Sequence, residues 1–212
     1  NFSLNIPNKG YIQTENHINK TRDYISWSAY SLYKRSPAEY ERIYLKGEQG
    51  FTSEAMDFGS NFHEGLVQGS DDDFMTQVIR LVLPDYPKRE FEIMIGYKGV
   101  KMKGVLDLFD PRKKICGEVK TGRKWTQAMA DNHGQLKFYN LLCLAKYGKM
   151  AKEINLYWFE TEKDENEETK LTGKHRVFRV KHTLADILLF FSDVKKINNQ
   201  IINLRKKYGN NK

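Results

Sequence analysis

The hydrophobic pattern of this chain changes its period close to residue 89, and no other feature restricts the possible folds as much. Before that point, Phe58, Phe62 and Leu66 recur at every fourth position, which predicts a helix that begins at Ser53. After it, the stretch "REFEIMIGY" alternates apolar and polar residues, which predicts a strand. A chain that starts with helices and continues with strands needs a sheet on which those helices can pack.

Two more helices are predicted upstream, in "ISWSAYSLYKRSPAEYERIYLKG". Ser26 or Ser28 would cap the first, and Ser36 would cap the second because Pro37 suits a first helical turn. A further short helix is predicted in "DDDFMTQVIRLVL", where it ends before Pro84.

Downstream, strands are predicted in "GVKMKGVLDLFD", "KKICGEVKTG", "EINLYWFET" and "KHRVFRVKH". Between the second and third of these, "WTQAMADNHGQLKFYNLLCLAKYG" predicts one long helix that ends at Gly148. A last helix is predicted from Leu184 to about Tyr208.

This order predicts an α/β fold of the mixed, α+β kind, in which a central mixed β-sheet is flanked by helices. We expect one domain over residues 1–212. Its parts would be a mainly helical N-terminal segment at 1–88, a sheet core with the long helix at 89–182, and a C-terminal helix at 183–212.

The charge of the chain favours a polyanionic partner. Lysine and arginine total 35 against 27 acidic residues, which gives a net charge of +8, and nucleic acid is the commonest polyanion. No apolar run predicts a membrane span and no secretory signal is visible, so we expect a cytoplasmic protein without a membrane partner. Cys116 and Cys143 are too few for a disulfide framework and are expected to be small buried side chains.

The stretch "GVLDLFDPRKKICGEVKTG" places two acids and a lysine among apolar residues, although buried charges are costly unless they are paired or bound to metal. If "PRKK" forms a turn, Phe109 pairs with Cys116, and Asp107 falls opposite Glu118 on the same face. Lys120, two residues beyond Glu118, points to that face as well. The hairpin therefore predicts two carboxylates and one ammonium group close together.

Two explanations of this cluster stay open on the residues alone. Opposed like charges repel, and a divalent ion that prefers hard oxygen ligands, Mg²⁺ or Mn²⁺, would relieve the repulsion. Lys120 would then position a metal-bound water or stabilise charge on a phosphodiester. Alternatively, Lys120 neutralises both acids in a structural ion network.

Four motifs follow one another along the chain: "FGSNFHEGL", "GVLDLFD", "GEVKTG" and "GQLKFYNLL". The set resembles the PD-(D/E)XK nuclease superfamily and, more narrowly, its RecB-like branch, which includes phage recombination exonucleases. The resemblance covers roughly residues 26–160. The residues that carry it are His63, Asp107, Glu118, Lys120, Gln135 and Tyr139.

The resemblance implies a restriction-endonuclease-like core and three sets of functional residues. The implied catalytic residues are Asp107, Glu118 and Lys120. The implied ligands of Mg²⁺ or Mn²⁺ are His63, Asp107, Glu118 and Val119. Gln135 and Tyr139, four residues apart and so on one helix face, would contact phosphate or order the metal ligands.

The chain departs from the family pattern in two places. The proline that often precedes the strand aspartate is replaced by Leu106. Iron–sulphur members carry Cys-Pro where this chain has Ser36 and Pro37, and no cysteine follows Cys143. The resemblance therefore implies a member without an iron–sulphur cluster.

Basic and aromatic residues interleave near these motifs. We expect Arg123, Lys124 and Trp125 to bind substrate, the cations along a phosphate backbone and the ring against an unpaired base. The alternative is a pair of solvated cations beside a core aromatic. Glu90 and Glu92 are expected on the solvent side of a half-buried strand, although the branch often carries an acid there.

Together these features predict a metal-dependent DNA nuclease. The resemblance implies an exonuclease of DNA recombination, repair or phage replication in a bacterial or phage-infected cell. Single- or double-stranded DNA is the expected partner, with a recombination protein such as a single-strand annealing protein as another. A structure-specific endonuclease of the same fold and a catalytically silent nucleic-acid-binding module are the alternatives.

Overall fold

The structure is a computed structural model that describes residues 22–68 and 82–209, without the side chains of residues 66–68 and 209. The short helix predicted in "DDDFMTQVIRLVL" lies almost entirely outside the described residues. Within them, no helix is both long enough and apolar enough to span a bilayer.

The α-helices whose bounds fall within these residues are α1 (Trp27–Arg35), α2 (Pro37–Tyr40), α3 (Glu54–Gln68), α4 (Gln127–Asp131), α5 (Gly134–Tyr147) and α6 (Leu184–Gly209). A π-helical segment, Glu41–Leu45, continues α2. The strands are β1 (Lys88–Tyr97), β2 (Val100–Asp110), β3 (Ile115–Gly122), β4 (Glu153–Lys163) and β5 (Thr169–Val180).

These strands form one sheet in the order β1-β2-β3-β4-β5. β3 and β4 run parallel and are connected through α4 and α5, whereas all other neighbouring strands are antiparallel. The predicted mixed sheet flanked by helices is therefore confirmed, with the N-terminal helices before it and α6 after it.

Serine hydroxyls cap the N-terminal ends of the first helices, because they accept hydrogen bonds from backbone N–H groups that have no partner within the helix. Ser26 accepts such a bond at 3.2 Å at the start of α1, and Ser36 accepts one at 3.1 Å at the start of α2. Ser53 does the same for α3 at 3.3 Å. The caps at Ser36 and Ser53 agree with the sequence, and Ser26 rather than Ser28 caps α1.

The predicted single helix from Trp125 to Gly148 is wrong, because the structure divides it into α4 and α5. His133, between them, has an extended backbone with φ −69° and ψ 112°. The indole ring of Trp27 lies against the start of α5, where a Cβ added to Gly134 would come within 2.3 Å of it. The end of α5 is as predicted, since Gly148 stops the helix with a φ of 68°.

Apolar residues fill both faces of the sheet. On one face α5, with α1 and α6 beside it, encloses the larger core. It approaches β2 so closely that a Cβ on Gly104 would lie 2.4 Å from Leu142 Cδ1, so a larger residue there would displace the Leu142 side chain. On the other face a smaller apolar cluster lies under α3, where Phe62 packs on Phe159 with ring centroids 5.5 Å apart. Residues of α3 and α5 therefore reach the middle strands from opposite sides.

Candidate active site

The β2–β3 hairpin sets the positions of the two acids. The Asp110 carboxylate accepts two hydrogen bonds from backbone N–H groups of the turn, each at 2.9 Å. With the turn held in this way, Phe109 pairs with Cys116, as predicted. The same register brings Asp107 opposite Glu118, although the backbone ladder ends one pair before them.

Side chains connect the strands where the ladder ends. The Val119 N–H donates to Asp107 Oδ2 at 2.9 Å. The hydroxyl of Tyr139, from α5, lies 2.5 Å from Glu118 Oε2 and 3.4 Å from Asp107 Oδ1. Because a hydroxyl has one hydrogen to donate, Tyr139 gives it to Glu118, the nearest acceptor. The two carboxylates thus share one small space, with Glu118 fully buried and Asp107 only 8% exposed.

Lys120 lies on the same face. Its Nζ forms an ion pair with Glu118 Oε1 and donates to Gln135 Oε1 at 3.2 Å. Gln135 Nε2 in turn donates to the Tyr139 hydroxyl at 3.1 Å. Gln135 and Tyr139 are one turn apart, so one face of α5 covers both acids and the lysine.

The pKa values of these groups are shifted by burial and by one another. Burial raises the pKa of Glu118 to about 7, and the neighbouring charge of Asp107 adds to the shift. The pKa of Asp107 is raised as well, chiefly by burial. Burial alone would lower the pKa of Lys120, but the attraction of the Glu118 carboxylate outweighs it and raises that pKa. The lysine therefore stays charged, while Glu118 exchanges its proton close to neutral pH.

His63 reaches the same acids from α3. Its Nδ1 lies 3.7 Å from Asp107 Oδ2, and its Nε2 lies 3.1 Å from Glu90 Oε1. Glu90 is half exposed, as the strand pattern predicts, but the pattern does not reveal that its carboxylate contacts His63. Glu92 shows the expected arrangement on the solvent side, where it pairs with Lys103 at 2.8 Å.

The donor atoms of the cluster suit a hard divalent cation. Within residues 22–68 and 82–209, no three His, Cys, Asp or Glu side chains already surround a cation position, since Lys120, Tyr139 and the Val119 N–H hold the oxygens instead. Glu118 Oε1 is buried against the Lys120 ammonium group, with which it forms an ion pair. Carboxylate oxygens are the ligands that Mg²⁺ and Mn²⁺ prefer, and two carboxylates are crowded here beside one lysine.

The other residues predicted for the site lie around it or outside it. Val119 brings only its backbone to the acids, because its side chain packs in the smaller apolar cluster. Arg123 and Lys124 are exposed. Trp125 is half-buried against the larger core and lies beside His133, with ring centroids 5.4 Å apart. The substrate-binding role of Arg123, Lys124 and Trp125 stays a prediction.

The fold can be compared with solved structures. A candidate exonuclease from Eubacterium rectale is similar with a TM-score of 0.54 and 14% identity, over 95% of this chain and 88% of that chain. A phage-related exonuclease from Haemophilus somnus has a TM-score of 0.46 and 13% identity over 90% of each chain. An alkaline exonuclease from Laribacter hongkongensis has a TM-score of 0.44 and 12% identity, over 90% of this chain and 95% of that chain.

Searches by sequence add nothing to these likenesses: no family model and no curated protein matches the chain. Identities this low show the fold alone. The chain therefore shares the mixed α/β fold of the Eubacterium rectale protein.

Proposed function

We propose that the chain is a nuclease that hydrolyses phosphodiester bonds of DNA with Mg²⁺ or Mn²⁺, and that it acts from an end of the strand. One observation carries the proposal: Asp107 and Glu118 are buried together with Lys120 beside them. Such a cluster adds little stability in return for its desolvation, and shifted pKa values of this kind concentrate at functional sites. The net charge of +8 and the candidate exonuclease of similar fold support the same conclusion.

Asp107, Glu118 and His63 would hold the cation, and Val119 would take part through its backbone. Metal binding would displace the proton that Glu118 holds near pH 7, because only the carboxylate form is a good ligand. When bound, the ion supplies a water of lowered pKa and neutralises charge on the phosphate oxygens. Residues 1–212 would act as one nuclease domain.

Lys120 is the group best placed to meet the charge that develops on the phosphodiester. The carboxylates keep it protonated, and the α5 residues Gln135 and Tyr139 fix its position through a chain of hydrogen bonds. A fixed ammonium group in a buried site stabilises a transition-state charge more effectively than a mobile one in water. In this mechanism Gln135 and Tyr139 orient Lys120 and Glu118 and do not react themselves.

The decisive experiment is incubation of end-labelled single- and double-stranded DNA with Mn²⁺, with Mg²⁺ and with EDTA. We expect nucleotides to be lost from an end only when a divalent ion is present. Cuts confined to internal junctions would replace the exonuclease by a structure-specific endonuclease. DNA that is shifted on a gel but never cut, with either ion, would show a binding module and contradict the proposal.

A further inference from the structure

Glu90 has a backbone conformation that is unusual inside a strand. Its φ is +45°, in the left-handed region of backbone conformation that residues other than glycine rarely adopt. The β1–β2 ladder has the same register before and after this residue, and only the pair of Glu90 with Asp107 is missing from it. The distortion therefore inserts no residue and is confined to Glu90. Strained residues of this kind persist where the surrounding structure holds them, often at functional sites.

The side chain of Glu90 contacts His63, which lies beside Asp107. His63 Nε2 is 3.1 Å from Glu90 Oε1, and His63 Nδ1 is 3.7 Å from Asp107 Oδ2. The imidazole ring, carried by α3, thus lies between carboxylates of two neighbouring strands. Its side chain is 28% exposed, so the ring is partly enclosed by these contacts.

The chemistry of the three groups determines what each nitrogen can do. A carboxylate only accepts hydrogen bonds, so the contact with Glu90 places a hydrogen on His63 Nε2. When the ring carries no second hydrogen, which is the form in which histidine binds metal ions, the lone pair of Nδ1 points towards Asp107. A lone pair beside a carboxylate repels it unless a cation lies between them. Histidine ligands of metal ions commonly donate their other N–H to a carboxylate in this way, which fixes the ring and raises its basicity.

We propose that Glu90 is a positioning residue that holds His63 with Nδ1 towards Asp107, ready to bind a divalent ion of the Mg²⁺ or Mn²⁺ class. The inference rests on the proposed function, because it assumes an ion beside Asp107. Glu90 acts through the imidazole and does not contact the ion.

The test is direct Mn²⁺ binding to the protein without DNA, measured by the electron paramagnetic resonance signal of free Mn²⁺. Glu90→Ala should weaken binding by about ten- to a hundred-fold. Glu92→Ala is the matched control, since Glu92 has the same side-chain exposure of 50% but pairs with Lys103, and its Mn²⁺ affinity should equal that of the wild type. Equal affinities of the wild type and Glu90→Ala would overturn the inference.

Glu90→Gly separates the contact from the strain. Glycine adopts a positive φ without cost, so this variant should melt at least as high as Glu90→Ala. It lacks the carboxylate, so its Mn²⁺ affinity should be as low as that of Glu90→Ala. An affinity of Glu90→Gly equal to that of the wild type would show that the backbone, and not the carboxylate, matters at this position.

The coupling of Glu90 to His63 is tested by the double variant. If Glu90 acts only through the ring, Glu90→Ala should reduce Mn²⁺ affinity no further in a His63→Ala protein. A further loss of the same size would show that Glu90 acts on the ion by its own charge and would overturn the positioning role.

The wild type separates this inference from the proposed function. If the wild type binds no Mn²⁺ and cuts no DNA, the proposed function fails, and this inference fails with it. If it binds Mn²⁺ independently of Glu90, only the inference fails.

Discussion

Asp107 and Asp110 lie three residues apart on β2, and each is 8% exposed, yet their carboxylates are in opposite electrostatic settings. Asp110 accepts two backbone hydrogen bonds from the turn, and the one from the Lys113 N–H does most to lower its pKa. Burial raises the pKa of Asp107, which shares its space with Glu118. Equal surface exposure therefore does not decide the role of an acid, whereas the depth of its surroundings and its partners do.

The two aspartates show how one hairpin can contain both a structural acid and a functional one. Backbone donors favour the charged form of Asp110, so this residue stabilises the turn as a carboxylate. Asp107 and Glu118 share one lysine, and burial disfavours the charged form of both carboxylates. A bound cation would therefore stabilise that charged form. By holding the turn, Asp110 sets the register that places Asp107 opposite Glu118.

The largest effect is expected when each aspartate is changed to its amide. Asp107→Asn should abolish DNA cleavage at saturating Mn²⁺, because it removes a charge that the proposed metal site needs, and should change the melting temperature in EDTA little. Asp110→Asn should keep the cleavage rate per folded molecule but melt lower, because its charge-assisted hydrogen bonds become neutral. The measurements are single-turnover cleavage and thermal melting. The comparison breaks down if Asp107→Asn cuts DNA like the wild type.

The difference between the two aspartates was partly predictable from the sequence. A turn at Asp110 and Pro111 fixes the hairpin register by local chemistry, so the pairing of Phe109 with Cys116 could be predicted. The positions of Asp107 and its partners then followed from strand alternation and from the order of the motifs.

The parts that could not be predicted depend on tertiary contacts. Glu90 adopts a positive φ although glutamate has no preference for it, so no residue pattern indicates its contact with His63. The break between α4 and α5 depends on Trp27, which is distant in sequence and packs on Gly134. Local periodicity records neither contact, so it predicts the half-exposed position of Glu90 but not its partner, and it predicts one unbroken helix in place of α4 and α5.

The next effect in size concerns the lysines that accompany the two aspartates. Lys120→Ala should lower the single-turnover rate by about 10²–10³-fold while DNA affinity changes little, because many phosphate contacts contribute to binding. Lys113, which lies 3.7 Å from Asp110 and is 71% exposed, is the matched control. Lys113→Ala should cut DNA at the wild-type rate. A Lys120→Ala protein that regains the wild-type rate when Mn²⁺ is raised would show that this lysine is only a counter-ion.

A smaller effect is expected in the dependence of folding stability on pH, measured by denaturant unfolding in EDTA from about pH 4 to about pH 8. Glu118 has a pKa of about 7 in the folded chain against an ordinary value of 4.5, so the folded state holds the proton more tightly. Its contribution to stability is therefore complete below 4.5 and is lost as the pH rises to about 7, on the order of 3 kcal/mol.

One variant and one further residue provide the contrast for this measurement. Glu118→Gln has no titrating carboxyl group at this position, so the decline in folding stability between these pH values should largely disappear. A decline as steep as that of the wild type would contradict the shifted pKa of Glu118. Asp110 acts with the opposite sign, because its pKa is lowered from 3.8. Its stabilisation is present above that value and is lost only as the pH falls further, so the two acids affect different ends of the profile.

The smallest effect is expected from the hydroxyl that lies between the two acids. Tyr139 donates to Glu118 Oε2 at 2.5 Å, which favours the charged form and opposes the effect of burial on the pKa of Glu118. Tyr139→Phe should therefore raise this pKa, and the rising limb of the pH–rate profile should move to higher pH by about one to two units, since a hydrogen bond to a charged group contributes about 1.5–3 kcal/mol. Well above that pH, the variant should approach the wild-type rate.

The matched control is Tyr86→Phe, which removes a buried hydroxyl hydrogen-bonded at 2.9 Å to Tyr157 in the smaller apolar cluster, away from the acids. Its pH–rate profile should coincide with that of the wild type even if its melting temperature falls. A Tyr139→Phe protein that is slower by the same factor at every pH would contradict this effect on the proton of Glu118, because the hydroxyl would then act by fixing Lys120 through Gln135 or by contacting the substrate. A profile displaced to higher pH would instead show that Tyr139 helps to set the pH at which Asp107 and Glu118 are both charged. Asp110 needs no such help, because backbone N–H groups already favour its charged form.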